Sequence, residues 1–256
     1  MTRFRIFVLS LHMKKDILDR ISHRREKQFA ILIDPEQCPE AFIRDVAGLA
    51  NTSGVDYILV GGSLLVNDHL SRCLRLLRSQ TDLPLVLFPG SEMQINAGAD
   101  AILLLSLISG RNPELLIGKH VSAAPYLRDS GLEIIPTGYM LIESGNATTA
   151  LYMSNTMPIP REKDDIAVCT AMAGEMLGLK LLYLEAGSGA ARPVPLSMIR
   201  RVRAEVSLPL MVGGGITTPE IAADICRAGA DIIVVGTAIE KDLAVLPEIA
   251  AAVRSA

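Results

Sequence analysis

The chain has 256 residues, half of them apolar, and its 25 basic and 28 acidic side chains leave a net charge of −3. That is enough apolar material for one large core, at a length where a single domain is common. Near-balanced charge without a basic stripe, no Trp and few other aromatics exclude the electrostatic and base-stacking surfaces of a nucleic-acid binder.

At the N-terminus, Arg3 and Arg5 precede a short apolar run, Ile6 to Leu9, and charges resume at Lys14. The run is too short for a secretory signal or a membrane span, so residues 1–27 read as a helical extension or arm of a cytoplasmic protein with no stable membrane insertion. Cys38, Cys73, Cys169 and Cys226 include no CxxC pair and read as reduced, mostly core thiols.

Eight short runs rich in Val, Ile and Leu follow. The first, 29–33, ends at Asp34 and leads to a helix over 40–50 with Phe42, Val46, Leu49 and Ala50 on one stripe. The second, 56–60, runs into Gly61-Gly62-Ser63 and a helix over 68–78 carrying Leu70, Leu74 and Leu77. The third and fourth occupy 84–88 and 101–105; His120 falls in the helical stretch after them, where a surface or satisfied core role is expected. The fifth, 133–137, leaves Tyr139 just past its end and is followed by a stretch, 143–165, with no clear period and the length of a lid. The sixth, 180–184, continues into Glu185-Ala186-Gly187-Ser188-Gly189. The seventh, 208–212, meets Gly213-Gly214-Gly215, after which Thr218-Pro219-Glu220 starts a helix that Gly229 stops. The eighth, 231–235, meets Gly236-Thr237.

Continuous apolar runs, rather than alternating ones, mark parallel strands buried on both faces. Eight strand–helix units close into one α/β domain, a (β/α)8 TIM barrel, whose chemistry sits at the C-terminal ends of its strands. A faint echo, Leu83-Pro84-Leu85 with Gly98-Ala99-Asp100 against Leu208-Pro209-Leu210 with Gly229-Ala230-Asp231, points to two related half-barrels; the alternative is chance similarity of strand entries.

Glycines after the seventh and eighth strands let the backbone approach an anion, and phosphate sites recur at these strand ends. The two glycine turns are therefore expected side by side. Tyr183 and Glu185 share strand parity, so both are expected to face the barrel interior, Glu185 as a proton acceptor and Tyr183 as a hydroxyl donor. The alternatives are a loop-bracing carboxylate and a core cap. Asp34 offers a carboxylate at a strand end and Ser63 a neutral oxygen on the neighbouring strand, a donor set magnesium accepts; the alternative for both is helix capping. No HExxH or Cys–His grouping exists, which argues against zinc. Met140, Met153, Met157, Met172 and Met176 are candidates to line an apolar groove; the alternative is ordinary core and loop methionines.

The combination of Leu32-Ile33-Asp34-Pro35-Glu36, Val60-Gly61-Gly62-Ser63, Ile134 to Tyr139, Tyr183 to Gly189, Val212 to Ile216 and Gly236-Thr237 resembles the geranylgeranylglyceryl phosphate synthase family from about residue 27 onwards. Ser154-Asn155-Thr156-Met157-Pro158 resembles its bacterial and second-group members. The resemblance implies a prenyltransferase joining geranylgeranyl diphosphate to the 3-hydroxyl of sn-glycerol 1-phosphate. Asp34 and Ser63 would bind Mg2+ with the diphosphate. Tyr183, Leu184, Glu185, Ala186, Gly187, Ser188, Gly189, Gly214, Gly215, Gly236 and Thr237 would bind the glycerol phosphate, with Glu185 and Tyr139 catalytic. It also implies a homo-oligomer, dimer or hexamer. Many members carry Lys where this chain has Gln37, so another cation, Arg161 or Lys163, is expected to compensate. Rival readings are the related heptaprenylglyceryl phosphate synthases, a different phosphate-binding isomerase or lyase barrel, and an inactive barrel used as a scaffold.

Overall fold

The computed structural model describes residues 16–67 and 69–256. All eight expected strands form: β1 Gln28–Ile33, β2 Tyr57–Val60, β3 Leu85–Leu87, β4 Ala101–Leu107, β5 Glu133–Leu141, β6 Leu181–Glu185, β7 Leu210–Gly213 and β8 Ile232–Val235. They pair in parallel, in chain order, and β1 pairs β8 to close the barrel. Around them run α1 Ile17–His23, α2 Glu40–Thr52, α3 His69–Arg78, α4 Lys119–Ser130, α5 Thr149–Ser154, α6 Asp164–Met176, α7 Leu196–Glu205, α8 Pro219–Ala228, α9 Thr237–Lys241 and α10 Val245–Arg254. Between β3 and β4 there is only a 3-10 turn, Glu92–Gln94, so one position of the outer layer is left thin.

Strand parity divides the apolar side chains between two cores. Ala30, Tyr57, Leu59, Leu103, Tyr183 and Val234 fill the barrel interior, whereas Ile31, Ile58, Leu182, Leu184 and Ile233 pack under the helices. The fifth strand runs four residues beyond its expected end, because Leu105 to Leu107 and Leu181 to Glu185 provide partners up to Leu141. Tyr139 therefore lies within β5, not after it.

The N-terminal extension is a plug within its described part. Ile17 and Ile21 of α1 join the interior core, and the Glu133 carboxylate accepts hydrogen bonds from Ile17 N and Leu18 N, each at 2.9 Å. Those N–H groups open a helix and have no partner within it. Residues 1–15 of the extension lie outside the described residues.

The echoed segments have a common physical role. Asp100 Oδ2 accepts from Leu85 N at 2.9 Å and pairs with Arg78 at 2.5 Å; Asp231 Oδ2 accepts from Leu210 N at 2.8 Å and pairs with Arg203 at 2.9 Å. The arrangement occurs a third time, where Asp56 accepts from Phe29 N and pairs with Arg24 and Arg254. The same device thus stands at or next to three strand starts, and the echoed residues supply two of them.

Candidate active site

The segments after β6, β7 and β8 converge at one end of the barrel. Ser188 Oγ lies 3.2 Å from Thr237 Oγ1, which joins the β6 and β8 loops. Gly214 has a φ of +82°, and a Cβ there would meet Glu185 Oε1 at 2.5 Å and Gly187 N at 2.6 Å. Only glycine fits such a position, and its neighbours are the N–H groups of the β6 loop. Gly236 stands immediately before α9, against Leu32. The expected juxtaposition of the two glycine turns is thus observed. The side chains of Leu184 and Ala186 belong to the core beneath the helices. Strand parity turns Leu184 away from the mouth, and only the backbone there could face a ligand.

Glu185 is 5% exposed and faces the interior. Its Oε1 accepts from Gly187 N at 2.6 Å. Burial pushes its carboxyl above the ordinary glutamate range, while hydrogen bonds from the Tyr183 hydroxyl and Gly187 N–H pull the other way. Burial and the nearby Glu185 hold the Tyr139 and Tyr183 phenols well above their usual range, so both keep their protons. Phe88, which the sequence reading missed, completes a trio of rings: its centroid lies 5.8 Å from Tyr139 and 5.3 Å from Tyr183, and those two are 5.6 Å apart. Phe88 stands one residue past β3, before Pro89-Gly90, where nothing local marks it as inward-facing.

On the neighbouring side, Asp34 Oδ1 accepts from Glu36 N at 3.0 Å, and a Cβ on Gly62 would come within 2.9 Å of Asp34 Oδ2. The carboxylate therefore faces the Gly62-Ser63 backbone. Its backbone carbonyl closes a turn by accepting from Gln37 N and Cys38 N, while α2 begins later, after Pro39, so Asp34 is not that helix's cap. Glu36 was not singled out from the sequence, yet it ties the two loops together, accepting from Val66 N at 3.1 Å and from Asn67 N at 2.9 Å. Glu240 on α9 is a second unanticipated carboxylate; burial raises it and the nearby Asp34 raises it further. Burial likewise raises Asp34, offset in part by the Glu36 N–H. Carboxylates that repel one another favour a hard cation between or beside them. Among the described residues no group of three or more His, Cys, Asp or Glu side chains could hold a metal ion, so a cation here would draw further oxygens from water or ligand.

Between the Ser63 loop, the 3-10 turn and α5 runs a groove of about 370 Å³, lined by apolar side chains that include Leu64, Met93, Leu105, Leu107 and Met153. Phe88 and Tyr139 are among the residues that line it. Of the five candidate methionines, Met153 lines it and the other four bear out the alternative of ordinary core and loop positions. Met140 and Met172 pack under the helices, because β5 extends and turns Met140 outward, while Met157 and Met176 are exposed. His120 borders the groove with Nε2 2.9 Å from the Leu105 carbonyl oxygen, a satisfied wall residue as expected.

The 143–165 stretch is more ordered than its sequence implied. Thr148 Oγ1 accepts from Leu151 N to start α5, Asn155 ends it with φ +49°, and Ile159 bridges to Ile142. Six residues are too few to display a helical period. Asn146 pins the stretch to the β6 loop by donating to Gly189 O and accepting from Ala191 N. Arg161, a candidate replacement for a cation at Gln37, is committed elsewhere, donating to Pro193 O at 2.7 Å and Glu143 O at 3.2 Å. Lys163 stands just before α6. Among the described residues no helix is long and apolar enough to cross a membrane.

Known proteins resemble this chain in sequence and fold. The PcrB family model matches residues 21–253. Geranylgeranylglyceryl phosphate synthase of Chitinophaga pinensis is 56% identical over 230 residues, covering 90% of this chain and 91% of that protein. The Thermococcus kodakarensis protein of the same name is 44% identical over 218 residues, with 85% and 86% covered. The crystal structure of (S)-3-O-geranylgeranylglyceryl phosphate synthase from Thermoplasma acidophilum, in complex with sn-glycerol-1-phosphate, superimposes with a TM-score of 0.88 at 34% identity, covering 94% of this chain and 98% of that one. Thiamine phosphate pyrophosphorylase from Pyrococcus furiosus, at 15% identity and a TM-score of 0.57, shares the fold alone.

Proposed function

Because the chain belongs to the PcrB family, we propose that it is a geranylgeranylglyceryl phosphate synthase, joining the geranylgeranyl group of geranylgeranyl diphosphate to the 3-hydroxyl of sn-glycerol 1-phosphate. The observation that carries this reading is the meeting of two unlike sites at one point. Phe88 and Tyr139 line the apolar groove and their rings touch Tyr183, which with Glu185 lies against the Gly213-Gly214 turn.

The glycerol phosphate is anchored in the cradle of Gly187 to Gly189, Gly214-Gly215 and Gly236-Thr237, whose backbone N–H groups suit a phosphate. Anchoring holds the 3-hydroxyl beside Glu185, and such positioning contributes several kcal/mol to the barrier. The prenyl chain lies in the groove, each buried methylene contributing about 0.8 kcal/mol. The allylic C–O bond breaks with its electron pair leaving on the diphosphate, the glycerol oxygen bonds to the freed carbon, and Glu185 takes the hydroxyl proton. The faces of Phe88, Tyr139 and Tyr183 stabilise the positive charge developing on that carbon. Tyr139 and Tyr183 remain protonated and cannot compete as bases. Asp34 and Ser63 would hold Mg2+ together with the diphosphate, where the ion neutralises the leaving group. We further expect a homo-oligomer, as the sequence resemblance implies.

The test is a product assay. Purified protein with sn-glycerol 1-phosphate and Mg2+ should convert geranylgeranyl diphosphate faster than the farnesyl or heptaprenyl homologue, and EDTA should stop it. Preference for heptaprenyl diphosphate would reassign the chain length, and no transfer from any donor would refute the reading.

A further inference from the structure

Gln94 ends the 3-10 turn between β3 and β4 and is 3% exposed. Its Nε2 donates to the Gly62 carbonyl at 2.9 Å. Its Oε1 is buried with no donor among the described residues, and lies 3.2 Å from where a Cβ on Gly61 would be. A buried amide with an unmet acceptor is a local fault that an apolar side chain of the same shape would avoid, so the directional bond to Gly62 is the only thing it supplies. Local faults of this kind concentrate at functional positions. Gly62 is the residue whose backbone faces the Asp34 carboxylate, and its carbonyl belongs to the peptide that leads into Ser63. The residues on either side of Gln94, Met93 and Ile95, both line the apolar groove.

We propose that Gln94 is a positioning residue: it sets the Ser63 arm of the cation site and links that arm to the wall of the prenyl groove. The inference rests on the transferase reading. A three-residue turn stands where a whole helix would otherwise pack. Two of its neighbouring side chains feel the tail, and the buried amide between them holds the peptide that orients the metal-binding hydroxyl. Tail seating and diphosphate seating are thereby joined through one hydrogen bond.

The test uses Gln94→Met, which keeps length and volume but removes the donor, with Mn2+ as the probe ion read by its paramagnetic resonance in the presence of inorganic pyrophosphate. The expected result is a roughly tenfold weaker Mn2+ affinity, the scale of one lost hydrogen bond to a positioned group. The KM for geranylgeranyl diphosphate should rise in parallel, while the KM for sn-glycerol 1-phosphate stays within about twofold. Gln94→Leu covers the case where the methionine variant does not fold: it is apolar, of similar volume and has no donor for Gly62 O, so the same loss is expected. Wild-type Mn2+ affinity in either folded variant, or an equal rise of both KM values, overturns the inference while the transferase reading stands. A wild-type protein that neither binds Mn2+ with pyrophosphate nor forms product overturns both.

Discussion

At the N-terminal end of the barrel, Asp56, Asp100 and Asp231 each accept the N–H that starts a strand and each faces an arginine. At the C-terminal end, Asp34, Glu185 and Glu240 are at least half-buried, and among the described residues none forms an ion pair. The first set is complete within the protein and holds neighbouring strands in register. The second is unpaired, with burial raising all three carboxyls and a neighbouring acid adding to it at Asp34 and Glu240; on the proposed function a cation at Asp34 and a hydroxyl at Glu185 would complete it. Uncompensated charge costs stability and marks chemistry; compensated charge does the reverse.

The sharpest way to break this contrast is Glu185→Gln. Loss of a general base lowers kcat by roughly 10²–10⁴ with little change in glycerol-phosphate affinity, measurable by steady-state assay alongside calorimetric binding. Equal losses of both would make Glu185 a binding residue only. Because the folded carboxyl sits above its unfolded range, ionising it costs more in the folded state, so its contribution to stability falls as pH rises through the raised value. The Gln variant should therefore be no less stable than wild type above that pH by thermal melting. The active form is the ionised one, so kcat/KM should climb with pH through a limb above the ordinary glutamate range.

Next in size is Gly214→Ala. A side chain at φ +82°, with Glu185 Oε1 at 2.5 Å, distorts the cradle. We expect the KM for sn-glycerol 1-phosphate to rise about tenfold or more, from strain of the order of 1–2 kcal/mol, with the prenyl diphosphate KM nearly unchanged. The smallest effect on catalysis is expected at the opposite end. Asp231→Asn weakens both the Leu210 N–H bond and the Arg203 pair, at about 1–2 kcal/mol. For a chain of this size that lowers the melting point by roughly 2–8 °C. Activity below the melting range should stay within about twofold; a larger drop would show that the two ends are not separable.

How far this was legible in the sequence follows the same division. Strands buried on both faces leave continuous apolar runs, so all eight could be placed, and glycines and acids at their ends locate the mouth without structural help. Contacts between distant loops leave no such trace. Glu36 bonds to Val66 N and Asn67 N, 30 and 31 residues away on another loop, and nothing in its own segment points there. Gln94 sits in a polar stretch and its bond is to a residue on another loop. Met140 could not be placed on either face because the end of β5 was read too early, and parity decides which side a strand residue serves.

The thin position between β3 and β4 has a consequence for how the molecule moves. A flank covered by one short turn buries less apolar surface than one covered by a full helix, so its amides exchange with solvent through smaller openings than those of the other strands. An apolar chain lying along that flank would supply the missing cover, and the donor substrate would then rigidify the part of the barrel that is loosest without it.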